Sequence, residues 1–305
     1  MSTGPAFGEL WSRGARDWAS YVEPQYQMLY ETIHDLLGIA NGTRLLDMGC
    51  GPGGAALLAA GHGARVAGLD ASPDSIRAAR ERIPSGDFRV GDMESLPWPD
   101  GTFDVVTGFN SFQFAAKPAA ALAEARRVLA SGGKLGMAIF SRPEESGQTV
   151  IMAAIGALAP LQAPNGPSPF ALSAPGVAAS ALETAGLRQA DRGEVPITLD
   201  YPTEEIACRA FMAGGGGAQA SRHSGEERVR QTIRDTLQRF RVETGPLPDR
   251  EPLSLCDRPG SLSTAAPASY RGSRRADGSS RRFSPVAPRP CEGPLSVEMV
   301  WQRRA

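Results

Sequence analysis

The segment with the clearest chemical content is Asp47-Met48-Gly49-Cys50-Gly51-Pro52-Gly53-Gly54. Glycines directly after an apolar run allow tight backbone angles and close approach of a ligand. Gly49, Gly51 and Gly54 satisfy the G-x-G-x-x-G spacing that serves a dinucleotide pyrophosphate, although that match alone is weak. Asp47 argues against a phosphate. It stands two residues before the first glycine, so an anion at the following helix N-terminus would meet a carboxylate. A ligand carrying an ammonium and a sulfonium would instead be attracted, through charge-assisted hydrogen bonds of about 1.5–3 kcal/mol each. Two further acids, Asp70 and Asp92, follow at comparable places in the pattern. Cys50 reads better as a small residue packed beside the loop than as a nucleophile. The other cysteines, Cys208, Cys256 and Cys291, show no zinc-ligand spacing, so no metal site is expected.

The elements that must hold these residues alternate. Residues 8–38 carry Trp11, Trp18, Tyr21, Met28, Leu29, Ile33, Leu36 and Leu37 at mostly helical spacing, and Asn41-Gly42 ends the pattern. Short apolar strands are predicted at Arg44–Met48, Arg65–Leu69, Phe88–Val90, Asp104–Gly108 and Leu135–Phe140. Helices are predicted between them, from Ala55 to Ala60, after the Ser72 N-cap, and from Ala119 to Leu129. Such alternation implies a parallel sheet covered on both faces, and right-handed crossovers make it a doubly wound α/β fold. Beyond it the pattern predicts helices at Thr149–Leu158, Ser173–Ala185 with a Gly186 C-cap, Pro202–Ala213 and Glu226–Phe240, and a strand at Ile197–Tyr201. The Gly214–Gly217 run reads as a hinge or loop.

Composition bounds the function. The chain has 305 residues, 41% hydrophobic and 21% charged, with a net charge of -1. That suffices for a core and lacks the basic excess of a nucleic-acid or anionic-membrane binder. No apolar run is long enough to span a bilayer, and no apolar leader follows Met1, so a soluble, cytoplasmic setting is expected.

The run Leu45-Leu46-Asp47-Met48-Gly49-Cys50-Gly51-Pro52-Gly53 resembles motif I of the Rossmann-like, class I S-adenosylmethionine (SAM) methyltransferases. It is most similar to the type 11 methyltransferase domain of the ubiquinone and menaquinone biosynthesis enzymes. The resemblance extends over roughly residues 10–240 and has further matches in the right order. It implies a Rossmann-like fold whose loop at Asp47, Gly49, Cys50, Gly51 and Gly53 holds the methionine part of SAM. It implies that Asp70, followed by Ala71-Ser72-Pro73, binds the ribose hydroxyls. Gly91-Asp92-Met93-Glu94-Ser95-Leu96-Pro97 resembles the acidic loop in which Asp92 meets the adenine amino group and Met93 packs on the ring. Phe109-Asn110-Ser111-Phe112-Gln113-Phe114, after the fourth strand, corresponds to the loop beside the transferred methyl. Arg126-Arg127-Val128-Leu129-Ala130-Ser131-Gly132-Gly133 resembles the family's R-V-L-x-P-G-G turn, with Ser131 in place of proline.

The activity so implied is methyl transfer by in-line displacement to a small, partly apolar acceptor. No residue stands out as a general base; Asn110, Gln113 and His34 are candidates for the acceptor pocket. The Asn/Asp-Pro-Pro-Tyr/Phe motif of nucleic-acid amino methyltransferases is missing after the fourth strand. Two alternatives stand beside this one. An NAD-dependent oxidoreductase would use the glycines and Asp70, and a SAM-binding protein without catalysis would keep the same loops.

Three regions are expected: a helical lid over residues 1–40 rich in aromatics, a methyltransferase domain over 41–245, and a Pro/Ser/Arg-rich, mostly disordered tail over 246–305. Family members usually end in an antiparallel strand pair; here Leu295–Trp301 is the one apolar run in the tail able to supply a substitute strand.

Overall fold

A computed structural model describes residues 4–144, 146–159, 168–240, 253–255 and 293–301. Strands β1 (Arg44–Met48), β2 (Arg65–Asp70), β3 (Asp87–Val90), β4 (Phe103–Phe109) and β5 (Leu129–Ile139) pair in parallel, in the order β3-β2-β1-β4-β5. Helices α3 (Gln27–Leu37), α4 (Gly54–Gly61), α5 (Pro73–Arg82) and α6 (Pro118–Val128) cover the faces. Consecutive residues of β1 point to opposite sides: Leu45 joins the core with Ile33, Leu37 and Ile76, and Leu46 the core with Leu122, Val128 and Leu182. This is the doubly wound sheet expected from the pattern. Ser72 caps α5, its hydroxyl accepting from the Ser75 amide at 3.1 Å.

The predicted single helix over 8–38 is broken. It divides into α1 (Gly4–Ser12), α2 (Ala15–Asp17), a π-turn over Trp18–Val22, a 3-10 turn over Glu23–Tyr26, and α3. Two residues stand at the breaks. Gly14 lies so close to residue 213 that a Cβ would fall 2.0 Å from the Ala213 carbonyl oxygen. Pro24 lacks the amide that a continuous helix needs.

The second half contributes α7 (Gly147–Gly156), α8 (Val177–Thr184), α9 (Glu204–Met212), α10 (Gly215–Ser224) and α11 (Glu226–Leu237). The glycine run is therefore no loop: Gly215–Gly217 form the first turn of α10. Sequence reasoning also overlooked β6 (Gln189–Ile197), which is polar and contains Pro196. As the last strand of its sheet it tolerates both. The predicted strand at Ile197–Tyr201 shortens to β7 (Leu199–Tyr201), which pairs with β8 (Leu253–Leu255). Strand β9 (Gly293–Trp301) inserts antiparallel between β5 and β6, completing the order β3-β2-β1-β4-β5-β9-β6. The apolar run at the end of the tail thus occupies the strand position foreseen for it. The remainder of the tail, and with it most of the disorder expected for 246–294, lies outside the described residues. Among the described residues no helix is long and apolar enough to cross a membrane.

Candidate active site

Strand order reverses between β2-β1 and β4-β5, and a crevice opens outside the carboxyl ends of β1 and β4. A cavity of about 1,090 Å³, open mouth included, lies there. Asp47, Gly49, Cys50, Gly51, Asp70, Ala71, Asp92, Met93, Phe109 and Asn110 all line it. Gly53 does not. It is buried with φ +91°, and a Cβ on it would lie 3.2 Å from Ala79 Cβ, so it serves the packing of α4 on α5.

The glycine loop is tied to its neighbours through its backbone. The Gly49 and Cys50 amides both donate to the Leu69 carbonyl, at 2.7 and 3.1 Å. The Gly51 amide donates to Asp70 Oδ2 at 2.9 Å, while Asp70 Oδ1 accepts from the Ser72 amide at 2.8 Å. Gly49 has φ +73°, and a Cβ there would stand 2.4 Å from Ser111 Cβ, so only glycine fits. Ser111 in turn donates to the Met48 carbonyl at 2.6 Å, joining the end of β1 to the loop after β4. In that loop Asn110 takes a positive φ of +50°, unusual for a residue with a side chain.

Asp47 is 2% exposed and accepts a hydrogen bond from Thr107 Oγ1 at 2.9 Å. Burial, reinforced by the charges of Glu23 and Asp70, pushes its carboxyl up to about 7. Burial also raises Asp70, against the amide bonds it accepts. The Cys50 thiol is pushed well up, first by burial and then by Asp70, Asp47 and Glu23, so it stays protonated and is no nucleophile.

Glu23 is a residue that sequence reasoning missed. Its carboxylate is 5% exposed, accepts from the Gly54 amide at 2.8 Å and pairs with Arg82, which also donates to the Pro52 carbonyl at 2.9 Å. It therefore fills the N-terminus of α4, the place where a dinucleotide's pyrophosphate would sit. The one local signal was the helix break at Glu23-Pro24. Four carboxylates, Glu23, Asp47, Asp70 and Asp92, line the cavity, and among the described residues no lysine, arginine or histidine does.

The N-terminal aromatics also reach the cavity. Trp11, Trp18, Tyr26 and Tyr30 line it with Phe109 and Phe114, whereas Tyr21 lies outside, beneath the Arg209 guanidinium. Of the acceptor-pocket candidates only Asn110 lines it. Gln113 is fully buried away from it. His34 stands behind Phe109, ring centroids 5.9 Å apart, and burial lowers its pKa to about 4, so it is neutral.

Comparison with known proteins agrees with this geometry. Residues 46–137 match the model of a methyltransferase domain family. The demethylmenaquinone methyltransferase of Renibacterium salmoninarum is 38% identical over 111 residues, 36% of this chain and 47% of that protein. The malonyl-[acyl-carrier protein] O-methyltransferase of Geobacter sulfurreducens is 38% identical over 136 residues, 42% of this chain and 50% of that one. The chain thus spans half or less of the length of these curated relatives. The crystal structure of a Bacillus halodurans protein assigned as a methyltransferase superposes with a TM-score of 0.53, covering 90% of this chain and 99% of the other at 17% identity, a likeness of fold. With the glycine loop, the switch-point cavity and its acids, these matches show that residues 46–137 carry a methyltransferase domain on a doubly wound fold.

Proposed function

We propose that the chain transfers a methyl group from SAM to a small, partly apolar acceptor by in-line displacement. One observation carries the reading: among the described residues the cavity presents four carboxylates and no cationic side chain, and one of those carboxylates, Glu23, already occupies the helix N-terminus. A dinucleotide would bring two phosphates into that field, so an NAD-dependent oxidoreductase is disfavoured. A cofactor with an ammonium and a sulfonium brings the complementary charge.

The residues present suit SAM. Asp47, buried without a cationic partner in the cavity, would take the ammonium, with Gly49 and Gly51 leaving room beside it. Asp70 keeps its two oxygens oriented by the Gly51 and Ser72 amides and would accept from the ribose hydroxyls. Asp92 and Met93 would take the adenine, with Ala71 alongside. When bound, SAM supplies a methyl group on a sulfonium that leaves as a neutral thioether. The protein's own part is to align the acceptor with that methyl and to exclude water. Orientation of this kind contributes up to about 7–11 kcal/mol in favourable intramolecular cases. Phe109 and Asn110, at the end of β4, border the transfer position. The names of the relatives, methyltransferases of demethylmenaquinone and of malonyl-[acyl-carrier protein], suit a small acceptor but do not select one.

Calorimetry with Asp47→Ala and Asp70→Ala tests the assignment. Each loses charge-assisted hydrogen bonds of about 1.5–3 kcal/mol, so SAM affinity falls about 10- to 150-fold. Unchanged affinity in both would refute it.

A further inference from the structure

The loop between β3 and β4 carries Asp92 and Met93 into the cavity and contains no helix or strand of its own. Its place is fixed from outside the cavity, by α6. Arg127 of that helix uses each of the five N–H groups of its guanidinium. Nε donates to Glu124 Oε1 at 2.7 Å, and Nη2 to Glu124 Oε2 at 2.8 Å and to the Leu96 carbonyl at 3.1 Å. Nη1 donates to the Trp98 carbonyl at 2.9 Å and to Asp100 Oδ1 at 2.8 Å. Glu124, one helical turn earlier, also accepts from the Leu96 amide at 2.7 Å. The pair thus grips Leu96 by both of its backbone groups. Nearer the cavity, Asp92 Oδ1 accepts from the Glu94 amide at 2.9 Å, and the Asp92 carbonyl from the Ser95 amide at 3.0 Å. Glu94 Oε1 accepts from the amide of Lys117, the residue before α6, at 2.9 Å. The turn that presents Asp92 is therefore held to α6 at Glu94 and again at Leu96.

We propose that Arg127, acting with Glu124, is a positioning residue that fixes Asp92 against the purine and so makes the site select a 6-aminopurine over a 6-oxopurine. The proposal rests on the reading above in which Asp92 and Met93 take the adenine. A carboxylate accepts from the 6-amino group of adenine, whereas hypoxanthine places a carbonyl oxygen there and carries its donor on the neighbouring ring nitrogen. A carboxylate on a loose loop could follow that donor. One held at two points of the same turn cannot, and it meets the carbonyl as acceptor against acceptor. Lysine could not replace the arginine. An ammonium supplies three donors on a flexible stem, too few for two carbonyls and two carboxylates at once.

The test is calorimetry of the full chain with S-adenosylhomocysteine and, separately, with S-inosylhomocysteine, which differ in the purine alone. The wild-type chain is expected to prefer the adenosyl ligand by at least about tenfold, the worth of one charge-assisted hydrogen bond. Arg127→Lys and Arg127→Gln are each expected to bind the two ligands within about threefold of one another. Glu124→Gln keeps the arginine and serves if the Arg127 variants do not fold; its preference is expected to fall between those of wild type and Arg127→Lys. Arg44→Gln is the control. It breaks an ion pair with Asp104 at the other end of β1 and β4, so it touches stability alone and leaves the preference whole. Equal binding of both ligands by the wild-type chain would overturn the proposal. So would Arg127 and Glu124 variants that melt earlier yet keep the wild-type preference, as Arg44→Gln does. Failure of the wild-type chain to bind S-adenosylhomocysteine overturns instead the methyltransferase reading beneath it.

Discussion

The acidic floor of the cavity comes mainly from residues 47–93, at the ends of consecutive parallel strands, whereas the roof comes from residues 11–30 and 109–115 and leans on α10 at residues 214–215. In the floor each functional group ends its own strand or follows it directly: Asp47 in β1, Asp70 at the end of β2, Asp92 after β3. The sheet brings them together because parallel strands place all their carboxyl ends on one side. The roof has no such local rule. Its parts meet only when the N-terminal helices fold back over the sheet and α9 and α10 close on them, with Arg209 bound to Asp17 at 2.6 Å and Arg222 to Glu9. The floor is a property of strand ends, and the roof of tertiary packing.

Glu23 joins the two, since it belongs to the N-terminal segment yet bonds the first amide of α4. The largest stability effect is therefore expected from Arg82→Leu. Burial raises the Glu23 carboxyl even with Arg82 beside it. Loss of the guanidinium leaves a buried, unpaired acid, at a cost of up to about 3 kcal/mol, moderated because Arg82 is partly exposed. Thermal denaturation should show the midpoint falling by several degrees; an unaltered midpoint would mean that roof and floor are not coupled there.

A change of pH probes the floor, because the Asp47 carboxyl titrates near neutrality. The Asp47 carboxyl is raised from 3.8 to about 7 by burial. A cationic ligand needs it ionised, so SAM affinity should fall by up to about tenfold per pH unit below 7 and level off above it. The sign for stability is the opposite. With its folded pKa above the unfolded one, the group favours the ligand-free fold below about pH 4, and that contribution is lost as pH rises to about 7. Asp47→Asn should flatten both profiles, and a profile unchanged by that substitution would place the titration elsewhere.

The smallest effect tests the roof's boundary. Gly216→Ala adds a methyl in open space within α10 and should stabilise by about 0.5–1 kcal/mol through helix propensity. Chemical denaturation measures it, and destabilisation would show that the helix is tighter at this point than its neighbours indicate.

The difference between floor and roof also explains what could be read from sequence. The five parallel strands and the acids at their ends were legible because apolar runs, glycines and acids follow one another within a few residues. The helix over 8–38 was legible as periodicity, but its breaks were not. Gly14, at one break, is held to glycine by Ala213, almost two hundred positions away, and no local pattern records that contact. Glu23 escaped for the same reason: its partners, Gly54 and Arg82, are distant in the chain. The glycines at 214–217 illustrate the converse. Their composition suggests a loop, yet close packing of Gly215 against Trp11 and of Gly217 against the backbone of Met212 makes small size the requirement at those two positions, and the turn is helical. The polar edge strand β6 was hidden because its sequence lacks the alternation of a half-buried strand.

The most direct test of the central claim is a calorimetric titration of the wild-type chain with SAM and, under identical conditions, with NAD. An acidic cavity whose helix N-terminus is filled by Glu23 predicts saturable binding of SAM and none of NAD. Binding of NAD with no response to SAM would contradict it.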